Sequence, residues 1–198
     1  MIGETEPLPQ PRSDLGIRTI SGVIMLSIAV AAVWFGGYAF MALVILVGLG
    51  VYWEYSRLVL GFAESSASKI LWMLGGLIYV GLACFTLLLF SAPFFGKLVT
   101  VVLIAGVIGT DVGAYFAGRA IGGPKIAPKI SPSKTWSGLV GGMIGAGIMM
   151  LAAQNVFQLN YTFVYSPLAT FLAGAALAVT AQAGDFFESW IKRRAGVK

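Results

Sequence analysis

Apolar residues in this chain fall in long, nearly unbroken runs. Six of them approach the roughly 20 residues a helix needs to cross the hydrocarbon of a bilayer: 17 to 35, 38 to 56, 70 to 90, 98 to 118, 137 to 156 and 166 to 190. The pattern predicts an all-α, polytopic membrane bundle of about six transmembrane helices. Gly36-Gly37, set between Trp34, Phe35, Tyr38 and Phe40, is a turn signal among aromatics that suit a membrane interface. The first two runs should therefore form a tight helical hairpin. The polar start, with Glu4, Glu6, Pro7, Pro9 and Pro11, predicts a disordered cytosolic tail over residues 1–16. Residues 17–198 form the membrane-embedded domain. Because the first run leads directly into a second apolar helix, it reads as an uncleaved anchor and not as a signal peptide.

Charge fixes the orientation. With six spans and the N-terminus inside, Lys97 is the one basic residue on the outer side, and the other twelve of the 13 Lys and Arg fall in the cytosol. Both termini are thus expected to be cytosolic. Composition agrees with a membrane protein: 58% of residues are hydrophobic and 11% charged, against about 25% charged in soluble domains. The net charge of +5, which in a soluble protein would suggest nucleic acid, is explained by the bilayer, so no nucleic-acid partner is expected.

The chain has no His, which removes Ser/His/Asp triads, imidazole metal sites and His proton shuttles. Chemistry must rest on carboxylates, Lys, Arg and hydroxyls. The single Cys, Cys84, lies in an apolar run and reads as packing. Small residues recur at close spacing in the last two spans, as Gly138/Gly142, Gly141/Gly145 and the run Ala173-Gly174-Ala175-Ala176 with Ala178, which predicts close helix packing.

Acidic residues inside apolar spans are the informative exceptions, since an Asp at a helix centre costs about 2.5–3.5 kcal/mol on insertion scales. Glu54 lies three residues before Arg57, which predicts an interfacial ion pair. Asp111 precedes Arg119 by eight residues and Asp185 precedes Lys192 by seven. At 1.5 Å per residue these carboxylates sit about 12 and about 10 Å from the cytosolic boundary, at matching depth on different helices.

Between those helices runs Gly122-Gly123-Pro124-Lys125-Ile126-Ala127-Pro128-Lys129-Ile130-Ser131-Pro132-Ser133-Lys134-Thr135-Trp136. This is a stiff cationic loop able to hold phosphate oxygens or anionic lipid heads. Ser133-Lys134-Thr135 lacks the upstream glycines of a Walker loop. On the last helix Asp185, Glu188, Ser189 and Lys192 share one face. Carboxylates, a divalent cation and cationic side chains together suit a nucleoside triphosphate.

Three blocks carry a family resemblance: Asp111-Val112-Gly113-Ala114-Tyr115-Phe116-Ala117-Gly118-Arg119, then Pro128-Lys129-Ile130-Ser131-Pro132-Ser133-Lys134-Thr135-Trp136-Ser137-Gly138, and Gly184-Asp185 through Lys198. With them the chain resembles the phosphatidate cytidylyltransferases, or CDP-diacylglycerol synthases, multi-pass enzymes of the bacterial inner membrane. The resemblance implies transfer of a cytidylyl group from CTP to phosphatidic acid, giving CDP-diacylglycerol and pyrophosphate, with Mg²⁺ and with or without a monovalent cation. It implies Asp185 as metal ligand, with Asp111 and Glu188 as further carboxylates. Ser131, Ser133, Lys134, Thr135 and Arg119 would contact phosphates, and Lys192 and Arg193 the lipid phosphate or departing pyrophosphate. Asp111, Asp185, Lys134 and Lys192 are the expected catalytic set. Membrane lipids are expected partners and a homodimer is a possible assembly.

Ser189-Trp190-Ile191-Lys192-Arg193 opens a family signature that runs on to a Lys-Asp pair, and the sequence ends on Lys198, the Lys of that pair. The family's following Pro-Gly-His-Gly-Gly run and closing helix are expected to be missing. Three other readings remain at this level: a CTP-dependent lipid-alcohol kinase, a transporter using the buried Asp residues, and a non-catalytic membrane subunit.

Overall fold

A computed structural model of the chain describes residues 15–92, 97–156 and 166–197. Six helices follow in order: α1 (Leu15–Phe35), α2 (Gly37–Phe62), α3 (Ser66–Ser91), α4 (Lys97–Ala120), α5 (Trp136–Val156) and α6 (Pro167–Arg194). Five of them, α2 to α6, are long and apolar enough to cross a membrane, and α1 contributes the shorter apolar stretch Ile20–Phe35. Each predicted run corresponds to one helix. The helix α1 starts at Leu15, two residues inside the expected tail; residues 1–14, where the rest of that tail was expected, lie outside the described residues.

The turn at Gly36 brings α1 back against α2, where Ala32, Phe40 and Val44 form a small buried cluster. Cys84 of α3 packs on that cluster, its thiol directed at the Val44 carbonyl, as expected of a packing residue.

The cationic segment is not an irregular loop. It folds as an antiparallel hairpin of β1 (Lys125–Ala127) and β2 (Ser131–Thr135), with Lys125 opposite Thr135 and Ala127 opposite Ser131. Sequence reading missed the strands because three prolines in so short a stretch argue against ladder pairing. Among the described residues β1 has only three residues and the sheet only two strands, so Pro132 meets an open edge, Pro128 falls in the turn and Pro124 precedes β1. Gly122 and Gly123, at φ 65° and 98°, reverse the chain after α4 in a conformation that side chains with a Cβ rarely adopt.

Close packing of α4, α5 and α6 sets the rest of the architecture. A Cβ on Gly141 would lie 2.6 Å from the Gly113 carbonyl oxygen, and one on Gly109 would lie 2.5 Å from that of Gly145. The two backbones therefore touch along α4 and α5, as small-residue interfaces permit in a membrane. On the other side of α5, a Cβ on Gly174 of α6 would fall 2.8 Å from the Gly147 nitrogen. Gly138, Gly142, Gly174, Ala175 and Ala178 are all buried, which matches the packing role expected for them.

Replacing Gly113 by Val should lower the melting temperature of the detergent-solubilised protein, since overpacking of a tight contact costs about 1–3 kcal/mol. Gly75 has nothing within 4 Å of a built Cβ, and Gly75→Ala should melt no lower than the parent. Equal melting of the two variants would contradict a backbone-contact interface.

Candidate active site

The α4–α5–α6 packing leaves a cavity of about 450 Å³ at the end of the bundle that carries Arg119, the hairpin and the C-terminus of α6. Its wall contains Asp111, Tyr115 and Arg119 from α4, Ser133, Lys134 and Thr135 from β2, and Gln182 and Asp185 from α6. The two carboxylates expected at matching depth thus open into one space. Lys134 donates from Nζ to Oδ2 of Asp185, joining the hairpin to α6. Its ammonium also sits 5.7 Å from the Phe186 ring centre. Arg119 donates to the Tyr115 hydroxyl one turn earlier (3.3 Å).

A second cavity, of about 530 Å³, lies between α2, α3 and α6 and includes Glu54, Tyr55, Tyr79, Asp185, Glu188 and Lys192. Asp185 and Ala181 belong to the walls of both cavities. Lys192 Nζ donates to Glu188 (2.5 Å) and lies 3.6 Å from Glu54 Oε1. The expected Glu54–Arg57 pair is not formed. Arg57 instead rests on the Trp53 ring at 5.0 Å, and Glu54 faces α6.

The structure divides the expected site residues by task. Asp111, Asp185, Lys134, Ser133 and Arg119 meet in the first cavity, while Glu188 and Lys192 stand in the second. Asp111, Asp185 and Glu188 are therefore not gathered as one ligand set, and among the described residues no three Asp, Glu or Cys side chains cluster to hold an ion. The reason is angular: Glu188 is one turn from Asp185 and turns toward α2, whereas Asp111 approaches from α4. Thr135 is buried and its Oγ1 accepts from the Gly138 N–H (3.1 Å), capping the first turn of α5. Ser137 donates to the Gly122 carbonyl and fastens the start of the hairpin to its end. Ser131 is buried and absent from both cavity walls. Arg193 donates from Nε to the Ile130 carbonyl, so it ties α6 to the hairpin turn.

Gln182 was not singled out from the sequence, although an amide among the alanines of a membrane helix is itself a signal. It is only 8% exposed.

Residues 59–198 match the model of the cytidylyltransferase family. The chain belongs to that family. Among its relatives, a phosphatidate cytidylyltransferase of Rickettsia typhi is 30% identical over 197 residues, covering 98% of this chain and 83% of the relative. One of Brucella suis is 30% identical over 228 residues, covering 94% and 83%, and one of Rickettsia bellii 30% over 189 residues, covering 94% and 79%. No solved structure matches. The cytidylyltransferase region takes in α3 to α6, the hairpin and the whole first cavity, and it begins just after Glu54 and Arg57.

If Thr135 caps α5, Thr135→Ala should cost about 1 kcal/mol of stability, and Thr135→Ser, which keeps the acceptor, should cost much less. Thermal unfolding of the two variants checks this; an equal loss in both would refute the cap.

Proposed function

We propose that this protein transfers the cytidylyl group of CTP to phosphatidic acid, giving CDP-diacylglycerol and pyrophosphate, from the cytosolic side of a bacterial inner membrane. The observation that carries the reading is the first cavity, in which Asp111, Asp185, Lys134 and Arg119 from three separate elements meet. Family membership and relatives named for this reaction support it.

The donor set fits Mg²⁺, which is usually held by one or two carboxylates together with substrate phosphates and water. Asp185 and Asp111 would hold the ion, and when bound it offsets charge on the triphosphate and on the leaving group. Lys134, held on Asp185 in the structure, is placed to exchange that carboxylate for a phosphate oxygen. Arg119 presents a planar fork suited to bidentate phosphate binding, and Ser133 adds a hydroxyl. The chain's own residues thus orient the triphosphate for in-line attack at the α-phosphorus and neutralise the departing pyrophosphate.

The nucleophile needs no general base. A phosphate monoester has a second pKa near about 6, so its oxygen is largely anionic at neutral pH. A chain without histidine is chemically adequate for such a reaction.

The second cavity suits the lipid. Val51, Leu58, Val80, Phe187 and Ile191 give it apolar walls, and Lys192, paired with Glu188 and Glu54, offers it a cation. The described acidic residues of the spans, Glu54, Asp111, Asp185 and Glu188, all stand in the half of the bundle bearing Arg119 and Arg194, which favours an enzyme over a transmembrane ion path.

Product analysis with CTP labelled in the cytosine ring and in the α-phosphate tests the reading: both labels should pass into a chloroform-soluble lipid. A lipid carrying only the γ-phosphoryl would identify a lipid-alcohol kinase instead. Asp185→Asn should lower turnover at least about 100-fold, the equivalent of about 2.7 kcal/mol at the transition state, without loss of the folded protein. Near-normal turnover in that variant would overturn the assignment of Asp185.

A further inference from the structure

We propose that the Gln182 side-chain amide reads the base of the nucleotide, hydrogen-bonding the polar edge of the pyrimidine; the inference rests on the cytidylyl-transfer reading above. Gln182 is more than nine-tenths buried, yet its amide has no hydrogen-bond partner among the described residues. An unpaired amide in apolar surroundings is costly. Neither its oxygen nor its nitrogen is sealed from solvent, and the space Gln182 borders is the first cavity. The amide therefore keeps its donor and acceptor directed at whatever occupies that cavity.

Position identifies the occupant. Gln182 precedes Asp185 by three residues on α6, so it lies one turn, about 4.5 Å, deeper in the bundle. The charged groups Asp185, Lys134 and Arg119 stand nearer the mouth. On the deeper side of Asp111 and Asp185 the same wall carries Val107, Ala181 and Thr110, whose hydroxyl already donates to the Gly106 carbonyl (2.9 Å). Beyond Asp111 and Asp185 the wall carries no charged side chain, so an anionic phosphate is better received nearer the mouth. A neutral planar group fits: the apolar side chains accept its faces, and the amide meets its edge. The base is the part of CTP with that character. Its edge offers a ring acceptor and an exocyclic amino donor, which an amide complements with two hydrogen bonds. Ester carbonyls of a lipid present acceptors only and would leave the amide oxygen unpaired.

The test compares CTP with inorganic triphosphate, which has the same anionic chain and no base, on the full detergent-purified protein. In Gln182→Leu, CTP should bind about tenfold more weakly, as expected for a lost buried hydrogen-bonding partner, while inorganic triphosphate competes as well as before. The KM for phosphatidic acid should not change. A second variant guards against misfolding: Gln182→Met, of similar length but without the amide, should weaken CTP to the same extent and leave inorganic triphosphate unchanged. The proposal is overturned if Gln182→Leu weakens CTP and triphosphate equally, if it raises the KM for phosphatidic acid instead, or if Gln182→Met binds CTP as tightly as the parent. Failure of the parent protein to form a cytidine-containing lipid would count against the reaction itself, which is a separate result.

Discussion

The site depends on how closely three membrane helices approach one another. Between α4 and α5 the separation is set by backbone atoms, because Gly109, Gly113, Gly141 and Gly145 leave no side chain between the two axes. In lipid there is little hydrophobic gain from bringing apolar helices together, so such contacts draw on van der Waals packing and permit the shortest spacing. On its other face α5 receives α6 through Gly147 and Gly174 in the same way. Near its start a helix so enclosed contributes little side-chain bulk, and residues of α4 and α6 that flank it meet there; its Met149 and Met150 lie toward the far end, against Gly109 and Gly106. Asp111 and Asp185 face a common space for that reason.

The hairpin completes the arrangement from the aqueous side. It leaves α4 through two left-handed glycines and is fastened at its base by Ser137 on the Gly122 carbonyl. It enters α5 through the Thr135 cap, and it is held to α6 by Lys134 on Asp185 and by Arg193 on the Ile130 carbonyl. Three of these links, through Lys134, Thr135 and Arg193, are made by residues whose chemistry also suits phosphate. In Lys134 the structural partner and the proposed catalytic partner would compete for one ammonium, so under the proposed reaction binding of a triphosphate would release Asp185. Thr135 and Arg193, by contrast, spend their polar atoms on the backbone and keep the hairpin in place.

Much of this was legible in the sequence, and the limits are physical. Long apolar runs report spans well, since bilayer thickness sets their length and no tertiary context is needed; each of the six runs became a helix. Depth along a helix was also readable, because rise per residue is constant, and it paired Asp111 with Asp185 correctly. Direction around the helix axis was not. Glu188 shares a face with Asp185 in projection, but the neighbouring α2 draws it and Lys192 into a different cavity, and Glu54 turns to them and away from Arg57. The hairpin escaped notice because its prolines oppose strand pairing in general and are tolerated on the open edges of a two-stranded sheet. Thr135 and Arg193 carry phosphate-binding chemistry in their side chains, and only three-dimensional contacts reveal that backbone groups engage them. Gln182 was overlooked for the opposite reason: an uncharged residue attracts less attention than an Asp at similar depth, although its burial without a partner among the described residues is as informative.

The central claim is that α4 and α6 bring residues 111 and 185 to one shared cavity. It is tested most directly by thiol cross-linking in a Cys84→Ala background carrying Asp111→Cys and Asp185→Cys. A short bifunctional reagent should join the two positions rapidly within one folded chain, while a control pairing Asp111→Cys with Leu26→Cys on α1 should remain unlinked. Linkage of the 111/185 pair no faster than that of the control, in protein that still melts cooperatively, would contradict the site.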